Sequence, residues 1–169
     1  MHYLWEDNRK NAMTNQEIHI TYQEYKSIDE LNPEDRELAA EAIKAMEGAY
    51  APYSHFHVGA AVRMSNGQIV RGANQENAAF PSGLCAERTA MFAAGARYPD
   101  KDMLSIALAG GVMGRLGSQP ATPCGACRQV MAQYQAKSGK PMSVIMISTE
   151  RIWKFEKVDD ILPLVFDSI

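Results

Sequence analysis

The sequence predicts a single α/β domain in which a mixed β-sheet carries helices on both faces. Runs of strand-forming residues alternate with segments of helical periodicity along the chain. Two of these strand runs are joined by Asn66-Gly67, a dipeptide that is typical of tight β-hairpins. Because a hairpin is followed by strands separated by helices, we expect both antiparallel and parallel strand pairs.

Residues 1–17 are polar and lack periodicity, so we expect them to form a flexible N-terminal extension. Residues 18–169 contain no internal repeat, low-complexity tract or linker, and are expected to form one domain. A short strand is predicted at the start of this domain, because Ile18, Ile20 and Tyr22 alternate with polar residues.

A helix is predicted to begin at Pro33, with Asn32 as its N-cap and acidic residues in its first turn. The other elements follow from apolar patterns and from Gly and Pro punctuation. They are a hairpin within 56–74, helices over 86–96 and 125–137, and strands over 103–111, 142–148 and 151–158. The glycine-rich segment 110–123 is predicted to be a loop without phosphate chemistry, because it lacks the Lys-Ser/Thr ending of a phosphate-binding loop.

Composition excludes several classes of protein. Hydrophobic residues make up 46% of the chain and the net charge is -3, which argues against a basic nucleic-acid-binding surface. No apolar run approaches the roughly 20 residues of a membrane span, and the N-terminus lacks the apolar core of a secretory signal. We therefore expect a cytoplasmic protein.

The three cysteines are the most informative residues. Cys85 precedes one predicted helix, and Cys124 and Cys127 lie at the start of another. Helix N-termini favour thiolates, and thiolates are zinc ligands, so the spacing predicts one Zn²⁺ with a fourth position open for water. The alternative is that the three cysteines are buried small hydrophobic residues.

Glu87 follows Cys85 by two residues and suggests catalysis at this metal. A carboxylate one turn from the zinc can accept the proton of a water molecule that the metal acidifies. The alternative is a first-turn glutamate that only stabilises the helix dipole. Cys85-Ala86-Glu87 followed by Pro123-Cys124-x-x-Cys127 is, however, the signature of zinc-dependent deaminases, in which the glutamate is the proton carrier.

Over about residues 33–166 the sequence resembles the short-chain, homotetrameric cytidine deaminases. The motifs that carry the resemblance are APYSHFHVGAAV, GANQENAAF, CAERTAMF, TPCGACRQV and ILPLVF. The resemblance implies a three-layer α/β/α domain with a mixed five-stranded sheet. It also implies zinc-dependent conversion of cytidine and deoxycytidine to uridine and deoxyuridine, with one zinc per subunit and active sites shared between subunits of a tetramer.

The resemblance also assigns roles to further residues. It implies that Asn74 and Glu76 bind the ribose, that the backbone of Ala86 reads the base edge, and that Phe56 stacks on the pyrimidine. Phe166 would close the site of a neighbouring subunit, and Arg88 and Arg128 would hydrogen-bond the ligand thiolates. Each has a structural alternative. The aromatic residues could be core, Asn74 and Glu76 turn residues, and the arginines solvated helix residues.

Two other functions remain open from the sequence. A deaminase of a cytosine-containing antibiotic such as blasticidin S would use the same zinc motif, although Asn74, Glu76 and Phe166 favour a nucleoside. A non-enzymatic binding module stabilised by zinc would need a fourth protein ligand and no Glu87, and the sequence contains no fourth cysteine.

Overall fold

The computed structural model describes residues 14–167, and a six-stranded sheet lies at its centre. The strands are β1 (Gln23–Tyr25), β2 (Phe56–Met64), β3 (Ile69–Ala73), β4 (Met103–Val112), β5 (Ser143–Ile147) and β6 (Ile152–Phe155). The helices are α1 (Pro33–Ala45), α2 (Ala86–Arg97) and α3 (Gly125–Ser138). Except for the start of β1, these bounds agree with the predicted elements to within a few residues. In the described residues no helix is long and apolar enough to cross a membrane.

The strands are arranged in the order β1-β6-β5-β4-β2-β3. Neighbouring strands are antiparallel except β4 and β5, which are parallel, so the predicted mixed sheet is confirmed. The parallel pair results from α3, which carries the chain from the end of β4 back to the start of β5.

Both faces of the sheet are covered, which confirms the three-layer fold class. Because alternate strand residues face opposite sides, Ala107 and Ile145 pack with α1, whereas Ile106 and Met146 pack with α2 and α3. Leu38 of α1 is fully buried in the first of these layers. The N-terminus of α1 is capped as predicted: the Asn32 side chain accepts a hydrogen bond of 2.8 Å from the backbone N–H of Asp35.

The prediction of five strands was wrong by one. The additional strand is β1, which pairs antiparallel with β6, Gln23 opposite Lys154 and Tyr25 opposite Ile152. The strand predicted from Ile18 is therefore shorter and begins later. Because β6 ends at Phe155, which lies opposite residue 22 in this register, the segment 18–21 has no partner strand to pair with.

The division of the chain into an extension and a domain stays a prediction. Residues 14–17 are exposed and carry no regular secondary structure, and regular structure begins at Gln23. Most of the predicted extension, residues 1–13, lies outside the described residues.

Two glycines allow the helices to approach the sheet closely. A Cβ added at Gly59 would lie 2.2 Å from the backbone oxygen of Ala42 in α1. On the opposite face, a Cβ at Gly72 would lie 2.3 Å from the backbone nitrogen of Ala90 in α2. Both distances are far below van der Waals contact, so any side chain at either position would push a helix away from the sheet.

We therefore expect Gly59→Ala to lower the free energy of unfolding by about 1–3 kcal/mol or more, because backbone atoms of a packed helix cannot move aside. Gly48→Ala is the matched control, since its added Cβ would make an ordinary 3.6 Å contact with Ala73, and we expect a change below about 0.5 kcal/mol. Urea denaturation of both variants measures the difference. Equal stabilities would contradict the close packing of α1 on β2.

Candidate active site

The three cysteines meet where the N-termini of α2 and α3 lie side by side. Cys85 and Cys124 are the N-cap residues of the two helices, and Cys127 lies in the first turn of α3. The Sγ atoms of Cys85 and Cys124 are 3.9 Å apart, and those of Cys124 and Cys127 are 3.5 Å apart. All three lie within 4.8 Å of one another.

These distances fit a zinc site. Zinc binds sulfur at about 2.3 Å, so a tetrahedral ion holds its sulfur ligands about 3.8 Å apart. No other group of three or more histidine, cysteine or acidic residues suited to a metal occurs in the part of the chain that the structure describes. The cluster provides three ligand side chains, which leaves one position of a tetrahedral ion open.

The surroundings of the cluster favour a thiolate. A hydrogen bond from Cys127 is the main cause that lowers the pKa of Cys85 to about 5, and Arg88 lowers it further. The Nη2 atom of Arg88 donates to the Cys85 sulfur at 3.8 Å. The pKa of Cys127 is raised, first by its hydrogen bond to Cys85 and then by burial. One thiolate is therefore stabilised by a neighbouring thiol and by a cation.

Glu87 is a buried carboxyl group next to this cluster. It lies in the first turn of α2 and is only 5% exposed. Burial raises the pKa of Glu87, and the charge of Cys85 raises it further, whereas hydrogen bonding to its own backbone N–H and to Cys127 opposes the shift. A carboxyl group whose pKa is raised holds a proton more readily than a free one, which suits it to acid–base catalysis. Ala86, between this residue and Cys85, is fully buried.

A cavity of about 560 Å³ adjoins the cysteine cluster, a volume suited to a small-molecule ligand. The structure brings several of the predicted site residues to it. The lining includes Tyr53, Asn74, Glu76, Phe80, Cys85 and Arg88. Phe56 and Phe166, the two aromatic residues predicted to contact substrate, do not line this cavity in the single chain.

Asn74 and Glu76 are held firmly by backbone groups. The Asn74 amide accepts from the N–H of Val58 at 2.8 Å and donates to the carbonyl of Phe56 at 2.9 Å. One oxygen of Glu76 accepts from the N–H groups of Tyr53 and Ser54 at 2.9 and 3.3 Å. Two hydrogen bonds, one from the Ser54 side chain and one from the backbone N–H of Tyr53, lower the pKa of Glu76. The carboxylate is therefore ionised and fixed in position at neutral pH.

Phe56 lies at the start of β2, and its side chain is 38% exposed. A Cβ added at Gly110 would lie 3.1 Å from the Phe56 ring and 2.9 Å from the Cβ of Ala121. The absence of a side chain at Gly110 therefore leaves the space that the aromatic ring occupies.

The structure gives Arg128 partners other than the predicted thiolates. Its Nε donates to the carbonyl of Pro123 at 2.8 Å, and its Nη1 donates to the carbonyl of Ile161 at 3.0 Å. Among the residues 14–167 no hydrogen bond joins the Arg128 guanidinium to a cysteine thiol. Arg88 is the arginine that contacts a thiol, and Arg128 instead connects the start of α3 to the C-terminal segment.

Two residues that line the cavity were missed from the sequence. The rings of Tyr53 and Phe80 stand 6.0 Å apart in an edge-to-face arrangement, and Phe80 is 77% exposed. Both belong to Pro-containing loops, Pro52-Tyr53 and Phe80-Pro81. An aromatic residue beside proline in a loop close to the Cys-x-Glu motif is a signal that could have indicated them.

Comparison with known proteins agrees with this geometry. The family model for the cytidine and deoxycytidylate deaminase zinc-binding region matches residues 32–140. The cytidine deaminase of Halalkalibacterium halodurans is 50% identical over 98 residues, which is 57% of this chain and 68% of that protein. The cytidine deaminase of Sporosarcina psychrophila is 45% identical over 97 residues, 57% of this chain and 67% of that protein.

Solved structures show the same similarity of fold. The cytidine deaminase of Burkholderia pseudomallei superimposes with a TM-score of 0.64 at 38% identity, over 77% of this chain and 97% of that one. The cytidine deaminase of Mycobacterium tuberculosis gives a TM-score of 0.64 at 29% identity, over 81% of this chain and 100% of that one. The cysteine cluster, the buried glutamate and these matches lead to one conclusion: the chain belongs to the zinc-binding family of cytidine and deoxycytidylate deaminases.

Proposed function

We propose that this protein is a zinc-dependent enzyme that deaminates cytidine and deoxycytidine to uridine and deoxyuridine with release of ammonia. The observation that carries the proposal is the buried Glu87 beside three thiols whose spacing fits one zinc ion. The relatives of this chain that are 45–50% identical are named cytidine deaminases, which supports the same substrate.

The cluster of Cys85, Cys124 and Cys127 would hold the zinc. When bound, zinc lowers the pKa of a coordinated water molecule to about 7 and so supplies the nucleophile for hydrolysis. Three thiolates give the site a negative charge that would weaken this effect. The Arg88 guanidinium, 3.8 Å from the Cys85 sulfur, offsets part of that charge.

Glu87 is proposed to carry the proton. Its carboxylate takes up a proton beside the cluster and delivers it to N3 of the cytosine ring. The oxygen of the water molecule bonds to C4, and the same carboxyl group passes the second proton of that water to the amine. The C4–N bond then breaks, the C4 carbonyl forms and ammonia departs. The reaction consumes one water molecule and releases one ammonia molecule. The raised pKa that burial gives Glu87 suits a group that must both accept and donate.

Substrate binding is assigned to the residues around the cavity. We infer that Asn74 and Glu76 contact the ribose hydroxyls, that the backbone of Ala86 meets the base edge, and that Phe56 stacks on the pyrimidine. The fixed, ionised Glu76 supports this assignment, because a carboxylate has about four acceptor sites, more than Tyr53 and Ser54 use, and can also accept from a ribose hydroxyl.

Phe166 is proposed to reach the active site of a second copy of this chain in a homotetramer. The apolar C-terminal residues Leu164 and Phe166 are 81% and 68% exposed, which supports burial against another subunit. Sedimentation velocity on the purified chain tests this assembly, and a fully active monomer would contradict it. We also propose a cytoplasmic location, since thiol ligands must stay reduced.

Metal analysis provides the first test. We expect about one zinc per chain, loss of both zinc and thermal stability in Cys124→Ala, and loss of turnover on chelation that added zinc restores. The reason is that the ion joins the N-termini of two helices, so its binding free energy contributes to folding. Metal-free protein with full turnover would disprove the site.

The second test separates metal binding from proton transfer. We expect Glu87→Gln to keep its zinc and its melting temperature but to lower kcat about 100- to 10,000-fold or more, because an amide cannot carry the proton. The neutral amide suits the buried position that raises the pKa of Glu87. Glu34→Gln, in the first turn of α1, is the matched control. Turnover within about tenfold of the parent would exclude Glu87 as the proton carrier.

The third test concerns the sugar. In Glu76→Gln the side chain can still accept hydrogen bonds from the N–H groups of Tyr53 and Ser54, but it has lost its negative charge. A hydrogen bond to a charged group contributes about 1.5–3 kcal/mol. We therefore expect Glu76→Gln to raise the KM for cytidine about 10- to 150-fold. The effect on 1-methylcytosine, which has no ribose, should be small, and Glu47→Gln is the surface control.

Unchanged kinetics toward cytidine in Glu76→Gln would remove the ribose assignment. Assay of blasticidin S with the parent enzyme distinguishes the antibiotic alternative, because preference for that compound over cytidine would overturn the nucleoside as substrate.

A further inference from the structure

The side chain of Gln129 holds the backbone of Phe166 by two hydrogen bonds. Its Nε2 donates to the carbonyl of Phe166 at 2.7 Å, and its Oε1 accepts from the Phe166 N–H at 3.2 Å. A side-chain amide has the same donor and acceptor as a peptide group, so Gln129 satisfies both backbone groups of a residue that lies outside any helix or strand.

The residue before Gln129 holds the other end of the same segment. Arg128 donates to the carbonyl of Ile161 at 3.0 Å and to that of Pro123 at 2.8 Å. We refer to residues 161–167 as the C-terminal arm. Two consecutive residues of α3, directly after Cys127, therefore fix the arm at its start and near its end. The position of the arm is set by the helix that carries two of the three thiols.

Within one chain the arm has few other means of support. Leu164 and Phe166 are 81% and 68% exposed, and Val165 is 38% exposed. Pro163 lacks an N–H group and disfavours a regular helix here. Apolar packing within the subunit therefore contributes little at Phe166, and the two bonds to Gln129 determine where its backbone lies.

We propose that Gln129 is a positioning residue that presents the Phe166 ring to the active site of a second copy of the chain. This inference rests on the proposed function, in which that ring covers the substrate of the neighbouring subunit. Gln129 does not line the cavity beside the cysteine cluster in the single chain. It acts by holding the backbone of Phe166, so that the ring projects from a fixed point on α3.

Gln133 provides a matched comparison on the same helix. It lies one turn after Gln129 and lines the same groove beneath the arm, but it is exposed and its side chain makes no hydrogen bond to the described residues. Methionine has nearly the shape of glutamine and lacks its hydrogen-bonding groups. Gln129→Met and Gln133→Met therefore make the same chemical change at two positions of one helix, of which only Gln129 hydrogen-bonds the arm.

The experiment compares Gln129→Met, Gln133→Met, Phe166→Ala and the double variant Gln129→Met/Phe166→Ala, all as full-length zinc enzyme. We expect Phe166→Ala to raise the KM for cytidine about 5- to 150-fold, the range for losing a stacked base. Gln129→Met should raise it about 5- to 10-fold with kcat and zinc content nearly unchanged. The double variant should match Phe166→Ala, because Gln129 acts only through that ring.

Hydrogen exchange of the C-terminal peptide gives a readout independent of turnover. The backbone N–H of Phe166 should exchange faster in Gln129→Met than in the parent enzyme, and at the parent rate in Gln133→Met. Gln129→Glu, which can accept from the N–H but cannot donate to the carbonyl, should give intermediate exchange and an intermediate KM.

Additive effects in the double variant, or equal effects of the two methionine variants, would overturn the positioning role while leaving the deaminase function intact. A parent enzyme that turns over cytidine with no response to Phe166→Ala would overturn both the shared site and the role of Gln129. A parent enzyme without cytidine turnover would instead contradict the proposed function itself.

Discussion

The N-termini of α2 and α3 lie side by side, close enough for the thiol of Cys85 to stand 3.9 Å from that of Cys124. The remaining parts of the site depend on this contact. It requires both helices to pack on one face of the sheet with their N-termini at the same edge. Gly72 allows the backbone of α2 to contact β3 directly. Fully buried Met91 and Met131 fill the layer between the helices and the strands.

Much of this arrangement could be predicted from local patterns. Asn32-Pro33 predicted the start of α1, and Asn66-Gly67 predicted the hairpin. The apolar periodicity predicted α2, α3 and the central strands to within a few residues of their observed bounds. These signals are local because capping, turn geometry and one-sided burial are decided within a few residues of sequence. The cysteine spacing predicted the cluster for a similar reason, since both motifs begin helices.

The features that could not be predicted depend on contacts between distant segments. The length of β1 is set by the end of β6, about 130 residues later in the chain, and no pattern around Ile18 contains that information. Arg128 has carbonyl partners at Pro123 and Ile161, so its direction depends on where the C-terminal segment passes. The pairing of Tyr53 with Phe80 likewise becomes visible only when two loops meet at the cavity.

The buried Glu87 lies so close to the thiol cluster that a bound cation would stabilise the negative charges of both. Burial is the main cause that raises the pKa of Glu87, and the negative charge of Cys85 raises it further. Arg88 contacts the Cys85 sulfur and compensates only part of this charge. A metal ion bound by the three sulfurs would relieve the remaining repulsion and would draw Glu87 toward its ionised form. The ion that would supply the nucleophile would therefore also favour the ionised form of the proposed proton carrier, because Glu87 stands two residues from a ligand at the start of one helix.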